Sequence, residues 1–114
     1  METVPAEKIV DYHVHVYFGP DERETAVALR EEIGQRFEVM LGRVWDKPVG
    51  PHPRAMFQVS LMPSEFPRLV PWLMLNHHGL SMLIHPESGN DLEDHRDNAL
   101  WLGEKLDLVL SALD

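Results

Sequence analysis

The 114-residue sequence contains no cysteine, which excludes disulfide cross-links and any metal site built from thiolates. No apolar run approaches the roughly 20 residues that a membrane-spanning helix needs. The opening METVPAEKIV lacks the basic flank and apolar centre of a signal peptide. The expectation is a cytoplasmic protein with no membrane partner. Positive charge is scarce: 10 basic residues stand against 19 acidic ones, a formal net charge of -9, and such a surface repels nucleic acid instead of gathering it. GxGxxG, Walker, GxSxG and HExxH patterns are missing too, so nucleotide binding and the common hydrolase motifs have no support. Length and a 44% hydrophobic content suit a single domain over residues 1–114.

What is present is periodicity. From Lys8 to Phe18, Tyr12, Val14, Val16 and Phe18 alternate with Asp11, His13, His15 and Tyr17, as in a strand with one apolar face. Gly19 and Pro20 break it. Asp21 and Glu24 resemble an acidic capping box, and Ala26, Leu29 and Ile33 recur at helical spacing up to Gly34, the expected stop. Alternation predicts a second strand over 37–46 and, after the proline-rich DKPVGPHPRA loop, a third over 56–62. Ser64 is placed to cap a second helix with the stripe Phe66, Leu69, Val70 and Leu73, with Pro67 in its first turn, Pro71 as a kink and Gly79 as its stop. A fourth strand is expected over 80–85. A third helix begins at the acidic Asp91, Glu93 and Asp94, with Leu92, His95, Ala99 and Leu102 on its inner stripe. The order predicts an α+β, ferredoxin-like βαββαβ antiparallel sheet with an additional C-terminal helix. In that reading the first strand is central, the fourth is antiparallel to it and the third parallel.

Seven histidines are the informative excess. His13 and His15 are two residues apart on one strand and share a face. His85 at the end of the fourth strand and His52 just before the third are expected to arrive at the same region. Buried imidazoles need partners, and a metal supplies one; zinc, copper, nickel and ferrous iron all accept neutral imidazole. His13, His52 and His85 are candidate ligands, with His15 a fourth ligand or a nearby acid/base. His95 is either a core histidine or a proton carrier oriented by Asp91 or Asp94. His77 and His78, ending the second helix, are read as structural. Gln58 and Ser60 share the histidine face, and Gln58 and Arg54 are candidates to contact substrate. That sheet face needs a cover, either the additional helix or a second subunit; bearing Tyr17, Leu83 and the histidines, it would otherwise be widely exposed, which predicts a homodimer.

The strings YHVHVYF, GPHP, WLMLN, LIHPESG and DLEDHRDNALWLG, in that order from about Asp11 to Gly103, closely resemble the DOPA 4,5-dioxygenase family. The resemblance implies a ferredoxin-like fold, a catechol substrate such as DOPA, molecular oxygen as co-substrate and non-haem Fe(II) as cofactor. It points to His13, His15, His52, His85 and His95 as motif positions, with His15 or His95 as the acid/base. One departure stands out: common non-haem iron sites use two histidines and a carboxylate, whereas here Asp11 and Glu87 are the available carboxylates. Zinc or another divalent metal, in a zinc-assisted hydrolase or a non-catalytic dimeric module that binds metal or a small aromatic, is the competing reading.

Overall fold

The computed structural model describes residues 1–113. β1 (Asp11–Phe18) realises the alternation of its sequence. After a 3-10 turn over Pro20–Glu22, α1 (Arg23–Arg36) buries Ala26, Leu29 and Ile33. Glu22, not Glu24, closes the N-terminal turn, accepting the Gly19 N–H at 2.9 Å. The helix does not stop at Gly34. A Cβ there would lie 2.8 Å from Leu41 Cδ1, so this glycine permits close approach to the next strand.

That strand is a correction. Of residues 37–46 only β2 (Met40–Leu41) pairs as a strand, with an isolated bridge at Trp45 to Met56. The guanidinium of Arg30 donates twice to the carbonyl of Gly42, at 3.0 and 2.8 Å, and removes it from the ladder. Gly42 itself lies so close to Gln58 that a Cβ would meet the Gln58 carbonyl at 3.2 Å. β3 (Ala55–Leu61) and α2 (Phe66–Asn76) follow. Ser64 is not the cap; it lies in the 3-10 turn Pro63–Glu65 that leads into α2, and Glu65 occupies the N-cap position. Pro67 falls in the first turn, Pro71 sits inside the helix, and His78 and Gly79 leave it with φ of 52° and 75°.

β4 (Met82–Glu87) lies two residues later than expected, and α3 (Asp91–Arg96) is shorter than expected. The Glu93 carbonyl accepts from both Asp97 and Asn98 and ends the helix. The next residues form β5 (Leu100–Leu102), an edge strand paired with β4. Ala99 and Leu102 therefore do not continue a helical stripe from Leu92 and His95.

The sheet order is β2-β3-β1-β4-β5 and every pairing is antiparallel, an α+β, ferredoxin-like arrangement with β5 added. β3 thus runs antiparallel to β1, not parallel, because each β-α-β crossover joins strands of like direction with an opposed strand between them. One face carries Val14, Val16, Phe18, Phe57, Val59 and Ile84 against the buried stripes of α1 and α2. Each fully buried aliphatic or Phe side chain contributes roughly 1.5–3 kcal/mol. On the other face Tyr17, Met56, Leu83 and Leu106 form a second core with Trp45, Val49, Trp101 and Leu108. Tyr17 and Leu83 are buried under the C-terminal segment and the proline-rich loop of the same chain, which Val109 N–H and Pro51 O join at 2.8 Å. Tyr17 and Leu83, on whose exposure the expectation of a homodimer rests, are thus covered within one chain. Among the described residues no helix is long and apolar enough to cross a membrane.

Candidate metal centre

Antiparallel register assembles the centre. On β1, His13 lies opposite His85 on one side and Ser60 on the other; His15 lies opposite Leu83 and Gln58. Because β3 is antiparallel to β1, its start at Ala55 pairs with Phe18, at the far end of β1 from Asp11. His52 nevertheless reaches the cluster. The turn closed by the Val49–His52 bridge folds over the sheet, and the His52 ring lies 4.1 Å from that of His15, centroid to centroid. α3 brings His95 to 3.9 Å from His85. His13, His15 and His85 form one group whose donor atoms all lie within 4.8 Å of one another; His15, His52 and His95 form a second.

Each ring is held. Pro86 O accepts the Nδ1–H of His85 at 3.0 Å, and Asp91 O accepts that of His95 at 2.7 Å. A carbonyl only accepts, so neutral His85 and His95 each present the lone pair of Nε2. Glu87 Oε1 lies 3.0 Å from His13 Nδ1 and 4.0 Å from His85 Nδ1, and Asp11 is 3.8 Å from His13 Nε2. The Tyr17 hydroxyl is 2.7 Å from His52 Nδ1. His15 and His85 set their Nε2 atoms 3.1 Å apart, while His15 Nδ1 is buried with no partner.

Burial, reinforced by His52, His85 and the other imidazoles, pushes His15 well below the ordinary histidine range. Burial and then His95 lower His52 to about 4. Burial lowers His85 to about 3, against the opposing pull of the Pro86 carbonyl. These three rings are neutral near pH 7, the form in which imidazole ligates metal. Burial raises Glu87, and His13 partly offsets it. Asp94 is fully buried yet held below the usual carboxylate range, because hydrogen bonds from Ser88 and Asn98 outweigh its desolvation.

The orphaned His15 nitrogen, the facing Nε2 pair and the neutral rings fit a bound divalent cation. The donor set is rich in imidazole, with Glu87 the nearest carboxylate.

Residues 12–112 match the sequence profile of the Dopa 4,5-dioxygenase family. The chain belongs to that family. It is 30% identical over 122 residues to a DOPA 4,5-dioxygenase from Amanita muscaria, covering 99% of this chain and 54% of the relative. An uncharacterized 21.2 kDa protein of Botryotinia fuckeliana is 41% identical over 112 residues, covering 88% of this chain and 61% of that one. The chain therefore spans less than two thirds of the length of these curated relatives. A crystal structure from Nostoc punctiforme, described as that of a candidate dioxygenase, superposes with a TM-score of 0.96 at 48% identity and covers 97% of this chain and 96% of its own.

Of the residues expected from sequence, His13, His15, His52, His85 and His95 converge, and Gln58 lies across from His15. Arg54 does not join them. It is exposed and borders a cavity of about 570 Å³ with Arg23 and Asp46, where no histidine of the cluster is found. A cavity of about 730 Å³ is likewise lined by none of the five and lies toward Tyr12, Phe66 and the N-terminal segment. The opening that adjoins the cluster is smaller, about 190 Å³, where His95 meets Trp101, Leu106 and Leu108 with Arg96 and Lys105 nearby. Its contact with the chemistry outweighs its size. Tyr17, expected only as part of the histidine-bearing sheet face, joins the cluster through His52; its place two residues after His15 on the same strand face is the available signal.

Proposed function

We propose that the protein is a metal-dependent extradiol dioxygenase that opens a catechol ring with molecular oxygen. The observation that carries this reading is the convergence of five imidazoles in a chain of the Dopa 4,5-dioxygenase family. His13, His15 and His85 would hold the metal, with Glu87 and the Pro86 carbonyl fixing the rings of His13 and His85 from behind. Non-haem Fe(II), when bound, supplies a redox-active site that admits dioxygen to a spin-paired diol. In the overall reaction the carbon–carbon bond beside the diol breaks and both oxygen atoms enter the product, a ring-opened aldehyde acid.

The remaining residues bind and move protons. His95 keeps its Nδ1 proton on Asp91 O, so its Nε2 is free to take a proton from a catechol hydroxyl. Trp101, Leu106 and Leu108 offer an apolar wall for a flat ring in the adjoining cavity. Gln58, which donates to Ser60 Oγ at 3.0 Å, lies across from His15 and would hydrogen-bond a polar substituent.

Anaerobic loading with Fe(II), followed by a catechol such as DOPA and then oxygen, tests this reading. Stoichiometric oxygen uptake with a yellow semialdehyde product is expected. No uptake across a panel of catechols would overturn it. The imidazole-rich donor set also suits zinc, and hydrolytic activity that persists with zinc and vanishes with iron would select a hydrolase instead.

A further inference from the structure

Tyr17 and His52 form a buried pair whose chemistry the five-histidine grouping leaves unused. Tyr17 is 1% exposed and His52 6%. Tyr17 stacks on Trp101 at 5.9 Å between ring centroids, with Met56 and Leu83 in the same core. Its hydroxyl meets one hydrogen-bonding partner among the described residues, His52 Nδ1 at 2.7 Å.

Two proton arrangements fit that distance. In one, the hydroxyl donates to Nδ1, and the imidazole proton sits on Nε2. In the other, Nδ1–H donates to the phenol oxygen, and the hydroxyl proton is left without an acceptor among the described residues. An unsatisfied buried donor costs roughly 1–3 kcal/mol, so the first arrangement wins.

We infer that Tyr17 is a positioning residue that fixes His52 as the Nε2–H tautomer, making His52 a hydrogen-bond donor at the cluster and not a metal ligand. The contrast with its neighbours sharpens this. His85 and His95 spend Nδ1–H on backbone carbonyls and present lone pairs; His52 accepts at Nδ1 and presents a proton. With Nδ1 held by Tyr17, Nε2 is the nitrogen left for the second group, shared with His15 and His95. A donor there recognises an anionic oxygen, such as that of a deprotonated phenol. This role for His52 rests on the proposed dioxygenase reading, whereas the tautomer does not.

The test is long-range ¹H–¹⁵N NMR of histidine-labelled protein, metal-free and with zinc, with rings assigned from single His→Gln variants. His52 is expected as Nε2–H in both states. In Tyr17→Phe its tautomer should change or become mixed, while His95 keeps Nδ1–H as an internal control for folding. His52→Gln should bind zinc within about threefold of wild type, and His85→Gln should lose at least tenfold. A wild-type spectrum showing His52 as Nδ1–H, or loss of its Nε2 proton on zinc binding, overturns the inference, and the wild-type result decides even if the Tyr17 variant fails to fold. Failure to bind any metal with the Nε2–H tautomer intact would overturn the dioxygenase reading alone.

Discussion

His15 and His85 present their Nε2 atoms to each other at 3.1 Å, and the rest of the protein has already determined which one must donate. Pro86 O takes the His85 Nδ1 proton, so a neutral His85 has only a lone pair to offer. His15 must then donate from Nε2, which strands its buried Nδ1 as an unpaired acceptor. The metal-free arrangement thus carries an unmet polar atom in an apolar setting. Zinc or ferrous iron, held by the folded cluster and not by the unfolded chain, should stabilise the fold as well as fill the site. At a free metal concentration 100 times Kd the gain is about 2.7 kcal/mol. Thermal melts with and without metal measure it, and His85→Gln should reduce the shift sharply. An equal shift in that variant would remove His85 from the ligand set.

The lowered histidines make stability depend on pH, and the sign follows from proton counting. His52 and His85 have folded values of about 4 and about 3, below the ordinary 6.5. Between those limits the unfolded chain binds more protons than the folded one, so stability falls as pH falls. The contribution is fully present above pH 6.5 and is lost progressively down to about 4 for His52 and about 3 for His85. For metal-free protein the loss between pH 7 and pH 5 should be roughly 2 kcal/mol for each of these rings. Urea titrations at both pH values check this, and a midpoint that did not move would contradict the buried, neutral cluster.

Much of this was legible in the chain because alternation and helical spacing report which face is buried. Val14 and Val16 against His13 and His15 gave the two faces of β1 correctly. The strand signal failed at 37–46, where Arg30 captures the Gly42 carbonyl, an interaction twelve residues away that local pattern does not contain. The helical signal fails at 99–102, where pairing with β4 overrides a stripe that Leu92 and His95 begin. His52 was expected in the cluster on the premise of a parallel third strand. It arrives by a turn, over an antiparallel one. The pattern leaves the cover of the Tyr17 face open between the additional helix and a second subunit; it comes from Leu106 and Leu108, whose own conformation no periodicity announces.

Asp94 holds the segment that delivers His95. It is 0% exposed and accepts from Ser88 N–H at 2.8 Å, Ser88 Oγ at 2.7 Å and Asn98 Nδ2 at 3.1 Å. Asp94→Ala leaves these donors without their acceptor, with a cost of about 2–4 kcal/mol. Asp94→Asn keeps the shape but loses charge and acceptor capacity, and should cost less. Chemical denaturation ranks the two, and a loss below 0.5 kcal/mol for the alanine variant would show that the turn between β4 and α3 stands without Asp94.

Gly103 ends β5 at a point where no other residue fits. Its φ is +70°, and a Cβ would lie 2.7 Å from the Leu80 carbonyl oxygen and 3.3 Å from Ser81 Cα, both backbone atoms that cannot swing aside. Gly103→Ala combines left-handed strain with a steric clash, and roughly 2 kcal/mol or more should be lost. The damage should be local first. β5 carries Trp101 over Tyr17, and the segment beyond carries Leu106 over the same face, so loosening the turn at Gly103 opens the cover of the histidine cluster. Hydrogen exchange should show faster exchange of the β5 amides and of Val109 N–H, which is bonded to Pro51 O, while the central β1 amides stay protected. Uniform acceleration across all strands would instead mean that the cover and the main core unfold as one unit.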